Sequence, residues 1–168
     1  APSSPGAVPA VNSGGGDAPE VTTARLGYLP IFESAPFIVA VEKGFFKKYG
    51  MTDVQVLKQS SWGALRDNIV IGAAGGGLDG AQFQMPMPYL IAEGRITDNR
   101  KVPMYVLLQT STQGNGIAVA NKHLGKNLQL DVSKAKAYLE ELKSKGTPFT
   151  AAYTFPGANQ ELWIRYWL

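Results

Sequence analysis

Twice before Gly72 the chain passes from a short, β-branched apolar stretch into a segment opened by serine and patterned as a helix. Val21 to Leu29 reads as a strand ended by Pro30. Ser34 then stands as an N-cap with Pro36 in the first turn, and Phe37, Ile38, Ala40, Val41, Phe45 and Phe46 build one apolar helical face that runs to Gly50. Asp53 to Gln59 reads as a second strand, and Ser60 or Ser61 caps a second helix carrying Trp62, Leu65, Ile69 and Val70. Strands joined by helical crossovers pair in parallel, so this order predicts an α/β fold with helices on the faces of a parallel sheet. In such a sheet the carboxyl ends of the strands gather at one edge, where helix N-termini aim free N–H groups at a ligand, and small anions suit that place. Trp62, one residue into its helix, stands either at that edge or on the core face as a packing residue.

Further on, Leu78 to Phe83 reads as a third strand, and Pro86 and Pro88 open a helix that runs through Glu93 to Gly94. Tyr105 to Gln109, Ile117 to Ala120 and Phe149 to Phe155 read as strands. Val132 to Lys145 reads as a helix with Ala135, Tyr138, Leu139 and Leu142 on one side. A last helix begins near Asn159 and carries Leu162, Trp163, Ile164, Tyr166 and Trp167. Terminal segments are usually polar and frayed. This one reads as cut within an element, which makes the chain the N-terminal portion of a longer protein; an exposed dimer-forming helix is the rival reading.

Composition narrows the function classes. Residues 1–20 hold four Gly, four Pro, four Ala and three Ser without an aromatic or basic residue, and read as a flexible tether. Such a tether remains when an exported protein loses its signal and hangs from a membrane anchor, and it describes an ordinary linker equally well. No apolar run approaches the roughly 18 residues of a membrane span. The absence of cysteine excludes a disulfide scaffold and a thiolate metal site. The net charge is +3, with basic residues scattered in singles and short doublets, so no stripe suited to a phosphate backbone exists and no nucleic-acid partner is expected. The single histidine, His123, reads as an exposed loop residue, which leaves a Ser-His-Asp triad or a histidine metal site without partners. Gly75 to Gly80 satisfies G-x-G-x-x-G, but a helix precedes it and a strand follows, the reverse of the dinucleotide fingerprint. Glu140 and Glu141 read as solvated charges on an outer helical face.

Longer segments carry a specific likeness. Gly44-Phe45-Phe46-Lys47-Lys48-Tyr49-Gly50-Met51-Thr52-Asp53-Val54, Gln59-Ser60-Ser61-Trp62-Gly63-Ala64-Leu65-Arg66-Asp67-Asn68 and Gly80-Ala81-Gln82-Phe83-Gln84-Met85-Pro86-Met87-Pro88-Tyr89 resemble the solute-binding proteins of cyanobacterial nitrate and bicarbonate ABC importers. Thr112 to Ala120, Thr154-Phe155-Pro156 and Trp163 to Trp167 continue the likeness. The resemblance implies a type II periplasmic-binding-protein-like α/β fold of two lobes, with residues 21–112 as the first lobe. Residues 113–168 would form the crossover and opening elements of a second lobe left incomplete. It also implies a ligand site at Trp62, Asn115, Thr154 and Gln160, where nitrate binders tend to have Gln in place of Asn115 and His in place of Gln160. Gln160, Asn115 and the stretch Gln82 to Pro86 resemble the bicarbonate branch more closely. Further ligand groups, and the ligands of any calcium bound with bicarbonate, would lie beyond residue 168; no cofactor is expected within these residues. The implied protein is a periplasmic monomer, lipid-anchored to the outer face of the cytoplasmic membrane, that hands a small oxyanion to an importer permease and is not an enzyme. Same-fold enzymes of thiamine-pyrimidine synthesis and small-anion sensor domains are the alternatives. The enzymes depend on histidine and iron chemistry, which one histidine does not supply.

Overall fold

The computed structural model describes residues 18–112 and 114–168. Most of the expected tether, residues 1–17, therefore lies outside the described residues. Its end is docked: the Pro19 ring lies against Gly50, close enough that a Cβ there would sit 3.1 Å from Pro19 Cδ.

Three parallel strands form the sheet: β1 (Thr23–Tyr28), β2 (Asp53–Lys58) and β3 (Gly80–Ala81), in the order β2-β1-β3. β1 and β2 pair along their whole length, from Thr23 opposite Asp53 to Tyr28 opposite Lys58, whereas β3 meets β1 only at Leu26 and Gly27. The third strand is thus shorter than its apolar run predicts. Arg25 reinforces that side: its backbone N–H donates to Asp79 Oδ2 at 2.8 Å and its Nε donates to the Gly77 carbonyl at 2.9 Å. Gly77 has to be glycine for a steric reason, because a Cβ would collide with the Asn68 carbonyl of the preceding helix. The glycine run is therefore a tight helix-to-strand connection, as its order implies, and not a phosphate loop.

The helices are α1 (Ala35–Glu42), α2 (Phe45–Lys48), α3 (Trp62–Ile71), α4 (Met87–Ala92), α5 (Lys136–Ser144) and α6 (Asn159–Trp167). The single helix expected between Ser34 and Gly50 is two, broken at Gly44, whose φ of +67° leaves the helical region. Ser34 stands at the N-cap position of α1, but its side chain makes no capping hydrogen bond. It is buried at the end of a 3-10 turn over Phe32–Ser34, and its hydroxyl donates to the Ile31 carbonyl at 2.6 Å. Ser61 does cap α3, accepting from the Ala64 N–H at 3.1 Å. The helix expected from Val132 starts as a 3-10 turn over Val132–Ala135, with Asp131 accepting from the Ser133 N–H at 3.0 Å.

Leu65, Ile69 and Leu78 form the core between α3 and the sheet, with Leu57, Trp62, Ala81, Phe83 and Met104 packed around them. Met87 and Ile91 of α4 are fully buried. Three expected strands are absent among the described residues: Tyr105 to Gln109, Ile117 to Ala120 and Phe149 to Phe155 form no ladder. Strand composition is only half of a strand, since the backbone groups need a neighbour to pair with. No described strand pairs with them, and Tyr105 and Leu107 stand 83% and 90% exposed. His123 corrects another expectation. It is buried, its Nδ1 lies 2.7 Å from the Tyr138 hydroxyl, and its ring packs 4.9 Å from that of Phe149. Partners so far away along the chain turn a polar-loop histidine into a packing residue. Among the described residues, no helix is long and apolar enough to cross a membrane.

Candidate functional site

In the order β2-β1-β3, the connection leaving β1 runs to β2 on one side, while the chain leaving β3 starts on the other side of β1, so the two part at the carboxyl edge between β1 and β3. That divergence opens the crevice in which open α/β sheets bind ligands. The chain leaves β3 there as Gln82-Phe83-Gln84-Met85, and the Met85–Pro86 peptide that follows is cis. The start of α6 is fastened to the same place, because the Asn159 N–H donates to the Met85 carbonyl at 3.2 Å. A turn prepares that start: the Ala158 N–H donates to the Phe155 carbonyl at 3.0 Å, and the Gly157 N–H donates to Glu161 Oε2 at 2.6 Å. This backbone bond, and secondarily the Arg165 guanidinium, holds the Glu161 carboxyl below its ordinary pKa.

Docking α6 in this way assembles a chain of neutral side chains. Thr154 Oγ1 lies 3.1 Å from Gln160 Oε1 and 3.2 Å from Gln84 Oε1, and Gln160 Nε2 donates to Asn115 Oδ1 at 3.1 Å. Three of the four residues named from the sequence, Asn115, Thr154 and Gln160, are therefore in one hydrogen-bonded group. Asn115 and Thr154 are exposed and Gln160 is half-buried, so the group opens to solvent. Trp62 is held differently. It opens α3, half-buried against the Leu65, Ile69 and Leu78 core, which is the packing role. The first turn of α3 nevertheless runs beside the site: a methyl on Gly63 would touch the Phe155 ring, and the Arg66 guanidinium lies 5.7 Å from that ring's centroid.

Gln84 is the member that a residue-by-residue reading does not single out. The signal for it is the strand order, which sets the residues just past β3 beside the crevice, and strand order is not written in any one segment. Two further amide oxygens flank the group in sequence: Gln82 Oε1 and Asn159 Oδ1 are buried without a hydrogen-bond partner. The proton inventory is lopsided. Thr154 has one hydroxyl proton, and both Gln84 Oε1 and Gln160 Oε1 stand within reach of it, so the hydroxyl serves one carbonyl oxygen at a time. The Asn115 amide N–H groups and the second N–H of Gln160 remain available as donors. Among the described residues no three His, Asp or Glu side chains converge as a metal cage requires.

The NMT1-like family model matches residues 17–168, nearly the whole chain. The chain belongs to the NMT1-like family. This NMT1-like chain is 57% identical to the bicarbonate-binding protein CmpA of Synechococcus elongatus over 149 residues, covering 88% of the chain and 33% of CmpA. The crystal structure of the periplasmic nitrate-binding protein NrtA from Synechocystis PCC 6803 superposes with a TM-score of 0.77 at 49% identity, covering 89% of the chain and 38% of NrtA. The bicarbonate transport ATP-binding protein CmpC of a Synechocystis strain is 33% identical over 149 residues, covering 89% of the chain and 21% of CmpC. The chain thus spans about a third of the length of CmpA and somewhat more of NrtA. The α/β fold with a parallel sheet expected from the sequence is that of a periplasmic binding protein. CmpA and NrtA are named for what they bind and not for a reaction, in agreement with a chain that is not an enzyme.

Proposed function

We propose that this chain carries the ligand-capturing elements of an extracytoplasmic solute-binding component of an ABC importer, and that its ligand is a small inorganic oxyanion, bicarbonate in preference to nitrate. In this reading residues 21–112 are the first lobe and residues 113–168 bring the crossover and the opening elements of a second lobe to its edge. Asn115, Thr154 and Gln160 hold the anion, with Trp62 beside them at the start of α3. The protein acts in the periplasm as a monomer, held to the outer face of the cytoplasmic membrane by a lipid anchor ahead of the tether, and delivers its ligand to a permease. The likeness to CmpA and NrtA supports the ligand class, and the likeness to a bicarbonate transport ATP-binding protein supports the import system.

The observation that carries the choice of anion is the single hydroxyl proton facing two carbonyl oxygens at Thr154. Nitrate accepts hydrogen bonds and donates none. Bicarbonate brings one O–H, and a site without an acceptor for it forfeits about 1–3 kcal/mol. Gln160 offers both a carbonyl acceptor and an amide donor, so it can receive that O–H while donating to another oxygen of the same anion. Calorimetry on the natural protein that carries this chain, in degassed buffer near pH 8 with each anion added separately, tests the reading. Heat from bicarbonate exceeding that from nitrate at equal concentration is the expected result. Heat from nitrate alone overturns the preference, and heat from neither overturns the oxyanion reading.

A further inference from the structure

We infer that Gln84 is a positioning residue that sets the anion preference by competing for the Thr154 hydroxyl proton; the inference rests on the oxyanion reading above. Gln84 sits past the carboxyl end of β3, on the fixed floor of the crevice, whereas Thr154 and Gln160 arrive on the segment that docks there. Its Oε1 lies 3.2 Å from Thr154 Oγ1, almost the same distance as the Gln160 oxygen on the other side. The direction of one proton then controls the acceptor offered to the ligand. While the Thr154 proton points to Gln84, Gln160 Oε1 keeps both of its lone pairs for a ligand. Were Gln84 apolar, the proton would settle on Gln160 and occupy one of the two lone pairs of its oxygen, leaving a ligand O–H a poorer acceptor there.

Gln84 touches no ligand in this account; it acts through Thr154. The preference between anions is therefore the readout that separates it from a residue that merely packs. Gln84→Met keeps the length of the side chain and removes the amide. In the natural protein carrying this chain, titrated with potassium bicarbonate and potassium nitrate near pH 8, this variant is expected to weaken bicarbonate binding about tenfold. Nitrate binding should stay within about threefold, since nitrate brings no proton to place. In a Thr154→Val background the proton under competition is gone, and Gln84→Met should then change bicarbonate affinity less than about threefold. Gln84→Asn, which withdraws the amide by one methylene, should lower the bicarbonate preference in the same direction, and it serves if the Met variant fails to fold. Equal weakening of both anions, or an unchanged ratio, overturns the role of Gln84. Wild-type protein that binds neither anion overturns instead the reading on which it rests.

Discussion

The segment from Thr23 to Met104 and the segment from Tyr105 to Leu168 are held together in different ways. In the first, long-range pairing dominates: β1 lies between two strands brought back by α1 and α3, and Leu65 and Leu78 close over it, almost wholly inaccessible. In the second, helices and turns satisfy their own backbones locally. Among the described residues only a few long-range bonds tie it down, including Trp167 Nε1 donating to the Gln129 carbonyl at 2.7 Å and His123 meeting Tyr138. The proposed site draws on both segments. One wall, at Gln84 and Met85, is built on the paired sheet, and the other, from Thr154 to Gln160, is a locally folded segment fastened to it by a handful of hydrogen bonds.

Hydrogen exchange breaks or sharpens this contrast with the largest effect. Amides of Ala24 to Tyr28 should exchange only through global opening, whereas those of Tyr105 to Gln109, which lie in no ladder, should exchange at least about a thousandfold faster. Comparable protection in both segments would remove the distinction. Leu65→Ala comes next. It empties the centre of the core under α3 and should cost about 2–5 kcal/mol in urea unfolding. The same measurement on Leu107→Ala, an exposed side chain, should move stability by no more than about 0.5 kcal/mol.

A smaller effect should come from pH. Glu161 has its folded pKa depressed, chiefly by the Gly157 N–H that its carboxylate accepts. A depressed carboxylate contributes stability that is present above its unfolded pKa and is lost as pH falls through the lower, folded value. The α6 docking turn should therefore loosen only below about pH 4.5, the ordinary glutamate value. Fluorescence of the α6 tryptophans followed through that range checks this, and Glu161→Gln should abolish the dependence. A transition near neutral pH would point to a different group.

Much of the paired region was legible in sequence because its signals are local and agree with one another. Ser61 before an apolar helical face gives the cap and the helix, and the β-branched run at Val54 and Val56 gives a strand with a partner to meet. Ser34 marks the start of α1 as expected but does not bond to it, because it closes a 3-10 turn with a helical backbone and its hydroxyl turns back to Ile31. Tyr105 to Leu108 misled because propensity marks a segment that suits a ladder without supplying the second strand. At the site, the resemblance led to Asn115, Thr154 and Gln160, which the structure draws into one group. Gln84 stayed hidden because its place depends on strand order and on where α6 lands.

The central claim is that this group binds an oxyanion that brings its own proton, and Gln160→His tests it most directly. The substitution takes away the amide oxygen and puts in its place a ring with one donor and one acceptor nitrogen, so the carbonyl acceptor on which the bicarbonate preference depends is lost from its position. Affinities of the natural protein carrying this chain for bicarbonate and nitrate should be measured near pH 8 with and without the substitution. The account predicts that the bicarbonate-to-nitrate affinity ratio falls by about tenfold or more. A ratio that does not change when Gln160 becomes His would contradict it.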